Sequence, residues 1–257
     1  MTDTLTYVYA VARDLDPGGV RELVGVGGGA VRVLTAEGLM AVVSDVDRAG
    51  FEERALEEQL EDLEWLAATA RSHHHVVDTL GRDHVVAPLA LATVYFDDDR
   101  VRGVLTEGRA TLAAVLDGLA GRAEWGLKVY GRADGRAGAD DTPDPATRGS
   151  GAAYLRARRK ALRDSETSLD DAREAAGEVD AAVTPLAAAT RAHRLQDAQL
   201  SGQSDPMVLN HAYLLPVERA DELRALVTSF GDDPRIQVEL TGPWVPYSFA
   251  QAAQGPS

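Results

Sequence analysis

The chain has 257 residues, with 26 Lys and Arg against 41 Asp and Glu and a formal net charge of −15. That balance argues against nucleic acid and anionic membrane as partners, since both require basic patches. With no cysteine, a disulfide framework, a thiol nucleophile and a Cys-based metal site are excluded. The length favours two domains, and 45% hydrophobic content allows a core in each.

The N-terminal run MTDTLTYVYAV lacks a basic segment and a long apolar stretch, so no secretory leader is expected. No window approaches the roughly 20 apolar residues of a membrane-spanning helix, and a soluble, cytoplasmic protein is expected. Leu5–Ala12 predicts a strand with Tyr7 and Tyr9 on one face. Val31–Thr35 and Leu39–Asp45 predict two more, joined as a hairpin by Ala36-Glu37-Gly38. Gly27-Gly28-Gly29 resembles a phosphate loop only superficially, because no Lys-Ser/Thr follows and a strand comes next. It reads as a flexible connector.

Glu52–Leu80 predicts one long helix. Leu56, Leu60, Leu63, Ala67, Ala70, His74 and Val77 step by four and three along a single seam, with acidic residues in the first turns and His73, His74 and His75 at the end. Adjacent histidines point about 100° apart, so the triplet does not make a metal site, and His74 falls on the seam as a core histidine. His84–Ala90 predicts a buried strand, and Asp97-Asp98-Asp99 caps a helix over Val101–Leu119.

Trp125–Gly131 opens a second unit as a strand, and 132–151, nearly free of large apolar side chains, predicts a flexible loop. A helical pattern then runs to about Leu200, bent near Gly177 and Pro185. Its stripe of Leu155, Leu162, Leu169, Ala176 and Val183 repeats every seven residues and either packs on its own sheet or faces another protein. A weak strand near 196–201 precedes Met207–Pro216, the most apolar strand, in which one of Asn210 and His211 faces outward. A short helix over Glu218–Phe230 leads into a final strand over 236–249. Three of the 14 aromatic residues, Trp244, Tyr247 and Phe249, fall in its last stretch, LTGPWVPYSF. That stretch is either an edge strand closing a core or an apolar surface for a partner. The expected fold is α+β in two domains. Residues 1–121 form a hairpin sheet with long helices, and 122–257 a modified ferredoxin-like βαββαβ unit with an enlarged helical crossover.

Six motifs in one order resemble the gas vesicle protein L/F family: YVYAV, SHHHVVDTL, WGLKVYG, GAAYLRARR, MVLNHAYLLP and LTGPWVPYSF. The resemblance spans nearly the whole chain. It implies a two-domain α+β protein with a modified ferredoxin second domain. It also implies a minor vesicle component or assembly factor that associates with the small hydrophobic shell protein and with other accessory proteins, and limits shell-protein aggregation during nucleation. No catalytic residues, metal or cofactor are implied. One departure stands out: where the family usually has a proline-led segment with Arg and Gly, this chain has Pro88-Leu89-Ala90-Leu91-Ala92-Thr93. A ligand-binding regulatory module of ferredoxin-like type is the alternative, on fold analogy alone. Trp244, Tyr247 and Phe249 are the candidate partner-binding residues.

Overall fold

A computed structural model of the protein describes residues 4–132, 151–196 and 205–250. The chain divides into two compact units, Met1–Glu124 with Pro243–Ser257, and Trp125–Gly242. The segment from Pro243 onward groups with the first unit, whereas the sequence pattern carries it on with the second. The cause is packing: Val245 and Tyr247 enter the first unit's core.

In the first unit, strand β1 (Thr4–Ala12) lies inside a sheet with β2 (Arg32–Ala36), β3 (Leu39–Asp47), β4 (Val86–Pro88) and β5 (Val94–Tyr95). The order is β2-β3-β1-β4, with β5 also pairing β1, and the pairings are antiparallel. Every residue of β1 from Leu5 to Ala12 is buried, so both faces of the strand are covered. The register slips between Val8 and Ala10, leaving Tyr9 in a bulge. The hairpin turn between β2 and β3 places Glu37 and Gly38 at positive φ (51° and 77°), the two-residue geometry that follows the strand twist.

Helices α1 (Pro17–Val20), α2 (Arg48–Phe51), α3 (Glu53–Glu61), α4 (Leu63–Gly81), α5 (Asp98–Glu107) and α6 (Arg109–Leu119) complete this unit. The single helix expected over 52–80 is therefore interrupted. Asp62 is extended (φ −81°, ψ 105°), and its carboxylate accepts the Glu64 and Trp65 N–H groups at 2.9 and 3.2 Å, starting a new helix. The break resets the helical phase. The buried face of α4 is Thr69, His73, Val76, Val77 and Leu80, so His73 takes the core position that the seam assigns to His74. Because α4 runs on to Gly81, the three histidines lie mid-helix and not in the last turn. Val101–Leu119 likewise forms two helices, divided at Gly108, where a Cβ would stand 3.0 Å from the Val104 carbonyl oxygen. Asp97 caps α5 as expected, accepting the Arg100 N–H at 2.8 Å.

The glycine run is not a slack connector. Val24 and Ala30 form a β-bridge, and Val26–Gly28 make a 3-10 turn with Gly27 and Gly28 at positive φ. Gly25 meets Tyr9 so closely that a Cβ would lie 2.3 Å from the phenol oxygen.

In the second unit, β6 (Arg122–Gly131), β7 (Ala189–Ala192), β8 (Met207–Pro216) and β9 (Ile236–Trp244) form a sheet of order β7-β8-β6-β9. Helices α7 (Gly151–Val183) and α8 (Ala220–Thr228) supply Ala172, Ala176, Val179, Val183, Leu223 and Val227 to a core shared with Leu127, Tyr213 and Ile236. Helix α7 passes through Gly177 without a break and ends in a 3-10 turn at Thr184–Leu186, set by Pro185. The strand before β8 is β7, where a helix was expected, and most of 196–201 lies outside the described residues. So does nearly all of the 132–151 loop. Strand β9 stops at Trp244, and Tyr247–Phe249 form a 3-10 turn in place of an extended tail. The heptad stripe of α7 serves two ends differently: Ala176 and Val183 are buried, while Leu155 and Leu162 are exposed.

Two substitutions separate crowded from free glycines. Gly25→Ala is expected to cost about 2 kcal/mol, because Tyr9 is fixed by its own hydrogen bonds. Gly177→Ala, on the exposed side of α7 with nothing within 4 Å, is expected to stabilise by about 0.5–1 kcal/mol. Urea unfolding of both variants reads the two signs.

Candidate functional site

The first unit's core is organised by a row of rings. Tyr7 and Tyr9 come from β1, at a centroid distance of 4.8 Å, and Phe51 and Trp65 extend the row at one end. From α4, His73 lies 5.5 Å from Tyr9 and 5.7 Å from Tyr7. At the other end Tyr247 stands 6.1 Å from His73 and stacks on His74 at 6.3 Å, and Trp244 meets His74 edge-on at 6.3 Å. Trp244 is 46% exposed, so the row begins in the core and ends in solvent.

Hydrogen bonds fix the buried members. The Tyr7 hydroxyl accepts the Ala92 N–H at 3.0 Å and lies 3.0 Å from His73 Nδ1. Its proton is therefore free to go to Nδ1, leaving His73 neutral with hydrogen on Nε2. Burial, reinforced by His74, pulls the His73 pKa down from 6.5 to about 4, with the Leu89 backbone opposing weakly. The Tyr9 hydroxyl accepts the Val26 N–H at 2.7 Å and pairs with Ser44 Oγ at 2.7 Å, which anchors the glycine turn. Burial pushes the phenols of Tyr7, Tyr9 and Tyr247 up.

The C-terminal segment is strapped across α4. Val245 packs on Gly81 so tightly that a Cβ there would lie 2.4 Å from Val245 Cγ2. Ser248 is clamped by Glu124, donating its N–H at 2.8 Å and its hydroxyl at 2.6 Å to the two carboxylate oxygens. The three expected partner-binding residues thus differ in position. Trp244 projects, whereas Tyr247 and Phe249 are half-buried, and the Tyr247 hydroxyl is buried without a hydrogen-bond partner among the described residues. What the sequence did not reveal was the role of His73 and His74, which lie beneath Trp244 and Tyr247 of the strap, a relation across 170 residues that no local pattern carries.

In the second unit Asn210 and His211 of β8 bond to different partners, His211 toward α7 and Asn210 in a solvent-exposed hydrogen bond. His211 Nδ1 pairs with Asp180 of α7 at 2.9 Å, the Tyr213 hydroxyl donates to the same carboxylate oxygen, and Asn210 donates to the Arg194 carbonyl at 2.7 Å. Both residues are engaged. Among the described residues, no group of three or more His, Asp or Glu side chains is placed to hold a metal ion. Nor is any described helix long and apolar enough to cross a membrane. A shallow cleft in the first unit is lined by Arg13, Asp83, His84 and Asp117. Its guanidinium is occupied by Asp117 and the Ala113 carbonyl.

The molecule is a mixed helix-and-sheet protein with two antiparallel sheets and an aromatic strap in the first unit. The model of the family described as gas vesicle synthesis protein GvpL/GvpF matches residues 5–251, and the chain belongs to that family. It is 40% identical to gas vesicle protein L of Streptomyces sp. (strain CB03234), over 98% of this chain and 95% of that one. It is 26% identical to gas vesicle protein F of Haloferax mediterranei, over 97% and 94%. The fold is that of the crystal structures of GvpF from Anabaena sp. PCC7120 (TM-score 0.69, 19% identity, 96% of each chain) and from Microcystis aeruginosa (TM-score 0.63, 18% identity, 96% of this chain and 99% of that one). Its role is a gas vesicle one.

Two measurements probe the buried row. Above pH 6.5 His73 is neutral folded and unfolded; as pH falls toward 4, only the unfolded chain gains the proton, so stability is lost in that window. The loss approaches roughly 3 kcal/mol near the lower end. Urea midpoints at pH 7.5 and 4.5 are expected to differ less for His73→Gln than for the wild type. Tyr247→Phe, which removes only an unpaired buried hydroxyl, is expected to leave the melting temperature unchanged or to raise it.

Proposed function

We propose that this protein is a non-enzymatic accessory factor of gas vesicle assembly, found in the cytoplasm and at the vesicle. It binds the small hydrophobic shell protein, together with other gas vesicle accessory proteins, and limits shell-protein aggregation during nucleation. The observation that carries this reading is Trp244: a large ring 46% exposed at the end of an edge strand, backed by His74 and by a strap that is itself held in place. A β-rich shell subunit awaiting assembly exposes apolar surface and strand edges. An edge strand ending in a supported tryptophan can accept such a segment by strand addition and seat one of its apolar side chains. Tyr247 and Phe249 form the half-buried base of this surface.

The same reading includes the two-domain architecture, with the second unit a ferredoxin-like βαββαβ domain whose first crossover is enlarged into α7. Its strand order, β7-β8-β6-β9, supports that assignment. The relatives named for gas vesicle proteins L and F support the vesicle role.

Co-expression with the small shell protein, followed by pull-down and a solubility assay, tests the proposal. Wild-type protein is expected to retain soluble shell protein in a complex. Trp244→Ser is expected to lower the amount retained several-fold with no change in melting temperature, since the ring is exposed. Full retention by a folded Trp244→Ser variant would remove Trp244 from the contact, and a folded wild type that captures no shell protein would sink the reading.

A further inference from the structure

The exposed half of α7 is basic, against the acidic balance of the whole chain. From Leu155 to Arg163 there are five basic residues and no acidic one, in a chain where acids outnumber bases 41 to 26. Arg158, Arg159, Lys160 and Arg163 are exposed, and so are Leu155 and Leu162, at 53% and 57%. These leucines lie seven residues apart, two turns along one side of the helix. A basic helix with an exposed leucine stripe calls for an acidic helix with leucines of its own.

The chain contains such a helix. Between Glu52 and Asp62 there are six acidic residues and a single arginine. Here Leu60 of α3 and Leu63, the first residue of α4, are 43% and 77% exposed, next to exposed Glu57 and Glu61. By helix rise α3 is about 13 Å long, and Leu155 to Leu169 spans about 21 Å, so one can lie along the other. We infer that the protein self-associates, the basic leucine stripe of α7 in one copy docking on the acidic α3 surface of a second copy. The leucines supply the apolar contact, and the opposed charges set the register and the encounter rate. This contact is separate from the Trp244 surface and does not depend on the shell-protein reading.

Sedimentation equilibrium of the full chain, from low to high micromolar concentration and at low and high salt, tests the inference. Mass is expected to grow beyond the 27.4 kDa monomer with concentration at low salt, and to return toward it at about 0.5 M salt, where the Debye length shrinks to a few ångströms. Arg158→Glu with Arg159→Glu and Lys160→Glu is expected to weaken association at least tenfold, and so is Glu57→Lys with Glu61→Lys. An equimolar mixture of the two variants is expected to restore it. A wild type that stays monomeric at every concentration would overturn the inference, as would association that neither charge reversal changes or that the mixture fails to restore. Leu162→Ser keeps every charge and is expected to weaken association without affecting the fold.

Discussion

The hydrogen bond between Tyr7 and His73 is the constraint on which the first unit depends. It joins the central strand to α4 through two polar groups, each of which would be costly to bury alone. The Ala92 N–H occupies one side of the Tyr7 hydroxyl, so its proton points to Nδ1, and the imidazole is held neutral in one tautomer. This bond fixes the roll of α4. With the roll set, Val76, Val77 and Leu80 face the sheet, Gly81 faces Val245, and His74 is turned outward beneath Trp244 and Tyr247. A rotation of one residue position about the helix axis would put His74 in the core and leave the strap without its floor.

That same roll is where sequence reasoning and structure part. Short apolar and aromatic runs bounded by turn residues marked β1, the β2–β3 hairpin and β8, because such runs are a local property of the chain. The helix seam failed by one residue for a specific reason. Asp62 sits in a run of acids that looks like a solvated helix face, yet its carboxylate caps α4 and its backbone is extended. One non-helical residue is enough to shift the phase from His74 to His73. Nothing in the spacing marks it, since a capping Asp and an exposed helical Asp are the same residue with different backbone angles. The aromatic cluster near the C-terminus was visible as composition, but its support was not, because α4 lies more than 160 residues earlier in the chain.

Helix α7 shows a pattern read correctly and used twice. Its seven-residue stripe runs from Leu155 to Val183 without a change of period, and the sequence left open whether it packs inward or faces outward. In the structure both occur on one helix. Small residues, Ala172, Ala175 and Ala176, bring the C-terminal half close to the sheet, whereas the leucines of the N-terminal half project. The change from alanine to leucine along the stripe marks the change of environment, since close approach of a helix backbone to a sheet favours small side chains and an exposed seam has no such limit.

Charge is distributed with the same division. A net charge of −15 makes copies of the protein repel one another at long range, so any contact between copies needs a local complement of charge. The basic segment of α7 is a local exception, and ionic strength acts on it differently from the tryptophan. A contact built on Arg158, Arg159 and Lys160 weakens as salt screens it, whereas burial of Trp244 is insensitive to screening and is favoured by kosmotropic salts. Salt therefore separates the two proposed contacts without mutation: one made by the basic residues of α7 would weaken as salt rises, and one made by burying Trp244 would persist.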